Sequence, residues 1–406
     1  MIKTFTKTLV LPLGVALGLA FSSNIAVAGE QLSQYTAGKV QRAHQLQQDE
    51  KVAEAIELLA ALTPPKAYDK AFVQRMLGVF YWQQGNTKLA ISNLKKAVDS
   101  GLLQDEQAWI TQRMLADILL SNEEFKQALP HYYALTKAIP ENQKADELWL
   151  RIAQSHYQVE EWKPVLSAMK RYENLHRKDE VQPLTIKLGA QLQLQQWKSS
   201  LPTLQRLILL EPNKLVWWQQ TAGIQLRLGR SKDALATLAL ADRQGVVLSQ
   251  QDLRTLAQLY AQQGIPERAA KTLATLDNAK TDPQLLADQA SYWQMAKEWD
   301  TSIHYWRLAA AKNNKHRWAL AQLLLQEGQH KIALKELDKV SGRKSDVELA
   351  RVRAYYKLES FEQALIHAKR ANNIEASPAS KSWIKYLTQM RKMQQSQVNE
   401  PQLTAI

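Results

Sequence analysis

Residues 76–97 read MLGVFYWQQGNTKLAISNLKKA, and the spacing of the small residues within this stretch decides the fold. Gly85 has the character of a helix stop, because only glycine enters the left-handed region without a Cβ penalty. Ala90, five residues on, and Gly78, twelve residues before Ala90, are the small side chains that let two antiparallel helices approach closely. Leu94 then supplies bulk one helical turn after Ala90. Moving outward, the Ala90 position recurs at Ala55, Ala128, Val165, Ser200, Ala234, Ala269, Ser302, Ala333 and Ala364. The nine intervals average about 34 residues, and a fixed period of that length is the mark of a repeat array.

The other positions of the unit recur with it. Twelve residues before the small residue of each second helix stand Ala43, Gly78, Ala116, Ala153, Ala222, Ala257, Ala290 and Ala321. Leu188 and Val352 break that rule. Gly189 stands one residue late, which predicts a slipped register in the fifth pair, and the array is either one rigid superhelix or hinged near Leu188. Four residues after the small position come Leu59, Leu94, Tyr132, Met169, Leu204, Leu238, Leu273, Trp306 and Leu337, with Ala368 as the exception. Gly85, Gly229, Gly264 and Gly328 mark four of the turns, whereas Phe125, Trp162, Trp197, Trp299 and Phe361 follow others. Pro140 and Pro212 fall where a second helix should end.

These positions resemble the tetratricopeptide repeat, and the resemblance covers nearly the whole chain after its first residues. It is fullest in the second copy, at Leu77, Gly78, Tyr81, Gly85, Ala90, Leu94 and Ala97. The resemblance implies an all-α, right-handed superhelical solenoid of about ten helix pairs over 29–376, first helices lining a concave surface. One pair cannot bury its apolar faces alone, so such an array needs a cap at its end. Residues 377–393 fit one, with Trp383 and Leu387 four apart and basic residues on the remaining faces. Residues 394–406 have too few apolar side chains to pack and are expected to form a flexible tail.

The first 28 residues have the three parts of a secretory signal. Lys3 and Lys7 give the basic start, 9–21 the apolar stretch, and Ala26-Val27-Ala28 the small residues a signal peptidase needs, with cleavage between Ala28 and Gly29. The expected location is therefore the periplasm, as a soluble protein. The absence of cysteine rules out disulfides, so the fold must hold by its core alone. The net charge of +13 is uneven. Residues 304–392 hold 18 Lys and Arg against 8 Asp and Glu, while 30–303 are nearly balanced. Arg343, Lys344, Lys381 and Lys385 form a candidate basic patch for an anionic polymer or membrane surface; a solvated surface with no dedicated partner is the alternative.

Chemistry is harder to find. The paired acids Glu123-Glu124 and Glu160-Glu161 recur at one turn position, which catalytic dyads have no reason to do. The eight histidines form no HExxH or zinc spacing, and no phosphate loop or nucleophile elbow is present, so neither enzyme, metal nor cofactor is expected. The resemblance instead places candidate partner-binding side chains in the concave groove: Arg75, Trp82, Asp117, Gln154, Tyr157, Gln158, Trp318, Gln322, Arg353, Tyr356 and Lys357. Trp82 and Trp318 either anchor a partner or pack against the neighbouring repeat. Gln and aromatic side chains suit capture of an extended peptide, and nucleic acid is not expected. Residues 68–172 further resemble exported tetratricopeptide proteins that accompany TonB and ExbB/ExbD systems in marine gammaproteobacteria. That implies a scaffold docking TonB or ExbD periplasmic segments in TonB-dependent uptake. A scaffold for export or assembly of a surface polysaccharide or outer-membrane complex is the other expectation.

Overall fold

The computed structural model describes residues 31–399, and their regular elements are 21 α-helices and one 3-10 turn, Asn314–His316. The expected signal segment at 1–28, its Ala28/Gly29 cleavage point and the last seven residues lie outside the described residues. Contacts divide the chain into two compact units after Leu210. The first contains α1 (Gln34–Gln48), α2 (Val52–Ala60), α3 (Ala67–Gln83), α4 (Thr87–Asp99), α5 (Asp105–Ser121), α6 (Phe125–Leu135), α7 (Ala145–Gln158), α8 (Trp162–Glu173), α9 (Val181–Gln193) and α10 (Trp197–Leu210). The second contains α11 (Leu215–Arg227), α12 (Ser231–Arg243), α13 (Gln250–Gln262), α14 (Pro266–Leu273), α15 (Pro283–Met295), α16 (Trp299–Lys312), α17 (Arg317–Gln326), α18 (His330–Leu337), α19 (Lys344–Lys357), α20 (Phe361–Ile374) and α21 (Pro378–Asn399). Within each unit, helices pair in sequence order and each pair stacks on the next. Ten pairs and a terminal helix result.

All ten turns inside the pairs are built alike. Five residues before each small position the chain takes a left-handed residue, with φ between 55° and 80°. In the first unit these are Glu50, Gly85, Glu123, Glu160 and Gln195; in the second, Gly229, Gly264, Lys297, Gly328 and Glu359. The following N–H then donates to a carbonyl five residues back: Asn86 to Tyr81 at 2.8 Å, Glu124 to Leu119 at 2.8 Å, Ser360 to Tyr355 at 2.9 Å. This bond caps the first helix and sends the chain back along it. Only four turns use glycine. Five of the six that do not carry the aromatic residue two positions on, and these rings stay half-buried over the turn. Trp162 meets the Tyr157 ring edge-on at 5.2 Å, and Phe361 lies 5.8 Å from Tyr356, so an apolar contact across the turn offsets the left-handed strain.

The turns deliver small residues to the helix contacts. All ten small positions, from Ala55 to Ala364, are fully buried, and the bulky residues four further on, with Ala368 in their place, are buried as well. At the tightest crossing, a Cβ added to Gly78 would stand 2.5 Å from Leu94 Cγ. The fifth pair is not slipped. Gln195 is left-handed five residues before Ser200, as in every other pair, and Leu188 occupies the twelve-before position with 2 % exposure. Gly189 is small for a different reason: a Cβ there would meet the Tyr157 hydroxyl at 2.6 Å, so it makes room for the preceding α7.

Both chain ends of the described region are tied down. Leu387 of α21 is buried with Val352, Ala364, Leu365 and Ala368, and Trp383 packs beside them. The helix continues to Asn399, past the expected boundary at Met393, and no Gly or Pro interrupts it after its first residue. At the other end, Asp69 in the first turn of α3 is buried. Its carboxylate accepts from the Ser33 backbone N–H at 3.1 Å, the Ser33 hydroxyl at 2.5 Å and the Thr36 hydroxyl at 2.8 Å. Burial alone would raise its pKa, but these hydrogen bonds and nearby Lys66 outweigh it and hold the carboxyl below its ordinary 3.8.

Two outcomes follow for stability. Glu123→Gly and Lys297→Gly should each raise the unfolding free energy measured in urea, and Gly85→Ala lower it, by about 1 kcal/mol; midpoints unmoved by all three would mean that the turns carry no strain. Because Asp69 titrates lower folded than unfolded, its contribution is present above the unfolded value and lost as pH falls through the folded one. The protection factors of the α1 amides, corrected for intrinsic exchange, should therefore fall as the pH drops below the ordinary carboxylate range in the native chain. Asp69→Ala should exchange fast at neutral pH as well, and slow exchange there would discard the role given to Asp69.

Candidate interaction surfaces

A helix buried on one face leaves another for solvent, and the repeat fixes which residues those are. Seven residues before each small position, near the end of each first helix, the side chain is exposed in all ten pairs. Six of the ten are glutamine: Gln48, Gln83, Gln158 and Gln193 in the first unit, Gln262 and Gln326 in the second. Ser121, Arg227, Met295 and Lys357 fill the remaining places. A glutamine offers two donors and an acceptor at the tip of a flexible stem, which matches the pattern of a peptide backbone. The row itself is not among the sequence expectations, although the period alone places Gln48, Gln83, Gln193 and Gln262 at the same offset as the candidates Gln158 and Lys357.

The other candidates in the first unit are more deeply committed. Asp117 is 9 % exposed; its carboxylate accepts from the Tyr132 hydroxyl at 2.5 Å and from Arg113 Nε at 2.9 Å. Burial, then the Asp117 charge, pushes the Tyr132 hydroxyl well above its ordinary range. Arg75 is also buried, its guanidinium 5.7 Å from the Phe72 ring centroid, and desolvation lowers its pKa. Trp82 packs half-buried against the hydrophobic core of its unit, and Tyr157 lies between Gly189 and Trp162. Gln154 is half-buried and Gln158 exposed.

In the second unit the candidates keep more free surface. An open depression of ≈ 430 Å³ is lined by Ser291, Gln294, Met295, Trp299 and Gln326. It combines amide, hydroxyl, thioether and indole groups, and Met295 is 57 % exposed. Gln322 stands one turn before Gln326 and is half-buried. Trp318 packs on Ala321, Leu337 and Val347, with the Arg343 guanidinium 5.7 Å above its ring. Arg343 also reaches Asp346 at 3.7 Å. Lys344, Arg353, Lys357, Lys381 and Lys385 are exposed, and Tyr356 is half-buried beside Trp383 and Tyr386.

One hydroxyl–imidazole–carboxylate chain has the layout of a proton relay. Tyr133 Oη lies 2.7 Å from His156 Nε2, and His156 Nδ1 lies 2.6 Å from Glu161 Oε2. Burial and the Glu161 charge raise the Tyr133 pKa, which is the reverse of activation. Glu161 follows the left-handed Glu160 in the turn, so the chain ties α6 to the α7–α8 turn. Among the described residues no group of three His, Asp or Glu side chains could hold a metal ion.

No family model matches the sequence. No curated protein matches it either. Similar solved structures include a tetratricopeptide repeat protein from Parabacteroides merdae, 13% identical over 65% of this chain and 100% of that one, with a TM-score of 0.36. The Naa15/Naa10 complex bound to HypK-THB is 13% identical over 87% of this chain and 65% of its own, with a TM-score of 0.44. The tetratricopeptide domain of P58(IPK) is 12% identical over 89% and 99%, with a TM-score of 0.25. At such identities and scores, the tetratricopeptide-like fold of this chain rests on its own ten turns and their spacing.

Proposed function

We propose that the chain is a non-catalytic scaffold that captures extended polypeptide along the exposed faces of its first helices. The observation that carries this is the glutamine row, an exposed amide at one offset in six of ten pairs. Packing does not require glutamine at an exposed position, and an amide can donate to and accept from a partner backbone without selecting one sequence. The depression beside Met295 and Trp299 adds a place for an apolar side chain. The Asp117–Tyr132–Arg113 group and the Tyr133–His156–Glu161 chain are engaged in holding helices together, which favours binding rather than turnover as the task of the surface.

The reading extends to location and partner. The basic, apolar and small-residue segments of 1–28 support export to the periplasm, and none of the described helices is long and apolar enough to cross a membrane. The resemblance of residues 68–172 to exported proteins of TonB and ExbB/ExbD systems supports periplasmic segments of TonB or ExbD as the partner. A scaffold for surface-polysaccharide export or outer-membrane assembly is the second reading, favoured by the cation excess of 304–392.

Two measurements test the proposal. The protein should be recovered in the periplasmic fraction beginning at Gly29, and recovery in the cytoplasmic fraction with Met1 intact would end the export reading. Immobilised protein should retain TonB or ExbD segments from a periplasmic extract. The double variant Gln158→Ala, Gln193→Ala should bind them about tenfold more weakly, the loss of two modest hydrogen bonds. Equal retention by the variant would remove the glutamine row from the account.

A further inference from the structure

The second unit ends on a helix of unusual composition. α21 contains Lys381, Lys385, Arg391 and Lys392 and not one acidic residue. Leu387, Trp383 and Ile384 pack it against α19 and α20, while Lys381, Lys385 and Tyr386 remain exposed. Tyr386 joins this surface to α19: its hydroxyl lies 3.0 Å from that of Tyr356, and the two rings are 5.9 Å apart with Trp383 5.3 Å from Tyr356. Arg353 and Lys357 flank Tyr356 along α19, one turn apart, as Lys381 and Lys385 are on α21. An aromatic patch thus lies among four cations.

Those cations are not neutralised from within. Of the nearby acids, Glu348 is taken by Arg351 and His367, Asp346 by Arg343, and Glu362 by Arg391. Among the described residues Arg353, Lys357, Lys381 and Lys385 have no ion-pair partner. Four residues of helix rise about 6 Å, and alternate residues of an extended chain lie about 6.7 Å apart. The cation spacing therefore suits carboxylates on every second residue of an extended strand.

We infer that the α19–α21 surface docks an acidic polypeptide segment, its carboxylates meeting these four cations and an apolar side chain covering Tyr386. This rests on the scaffold reading and names the chemistry of one partner segment. A simple polyanion would engage the cations and leave the aromatic patch bare, and the patch is what favours a polypeptide.

The test uses fluorescence anisotropy on the full chain with a short labelled peptide in which Glu alternates with Leu and Ser. A matching peptide with Lys for Glu, polygalacturonate and phosphatidylglycerol vesicles serve as the other arms. The acidic peptide should bind and the Lys peptide should not. Affinity should fall about tenfold in Arg353→Glu with Lys385→Glu, and severalfold in Tyr386→Ala, with unchanged circular dichroism. Undiminished binding by the charge-reversed variant would overturn the inference, as would binding of polygalacturonate or vesicles without the acidic peptide. A neutral peptide that still binds, and is weakened by the Gln158 and Gln193 substitutions, would in that case leave the scaffold reading standing.

Discussion

Everything in this fold depends on a reversal of direction enforced by one residue in the left-handed region. In each of the ten pairs that residue lets the next N–H reach back five positions, which caps the first helix and starts the second on a fixed heading. The heading brings a buried small residue of the second helix against the first, close enough at Gly78 and Leu94 that an extra Cβ would collide. Close approach then buries the bulky residue one turn later. Turn, small residue and bulky residue act as one device, and a change to any of them alters the angle at which the next pair stacks.

That dependence explains why so much of the fold was legible in the sequence. A small residue cannot be enlarged at a tight crossing without cost, so Ala55, Ala90, Ala128 and their equivalents report packing directly. Four turn glycines report the left-handed residue in the same way. Five of the other six turns were legible only by an aromatic two residues on, because the Cβ penalty is modest and a ring over the turn offsets it, and the Glu50 turn lacks even that mark. Gly189 misled for a related reason. It is small for Tyr157 in α7, a contact between neighbouring pairs, and nothing in the sequence distinguishes that from a contact inside its own pair.

The surface was less legible, since solvent tolerates most side chains and only repetition singles any out. Asp117 shares its helix position with the exposed Gln258 and Arg353, and Arg75 shares its own with the half-buried Arg113 and Trp318, yet in the structure Tyr132 and Arg113 hold Asp117, and burial beside Phe72 encloses Arg75. Which of two charged residues is free depends on whether a side chain of the paired helix reaches it, as Tyr132 reaches Asp117, and the spacing of the small residues does not specify that. The glutamine row, by contrast, was available in principle: it needs only the period and an offset.

The same logic separates the two kinds of surface. Along the first helices of each unit, an exposed position returns once per repeat and is glutamine in six of the ten, so affinity for an extended partner can accumulate from several weak, similar contacts. Among the described residues α21 is the last helix, and none of them covers the side it turns away from α20. A terminal helix in a stack needs a polar outer face for solubility, and lysine alone would meet that need. Tyr386 does not, at 44 % exposed and bonded to Tyr356. An aromatic group held in place at the uncovered end, among cations that the unit's own acids leave unpaired, is therefore better explained by contact with another molecule than by the requirements of a cap.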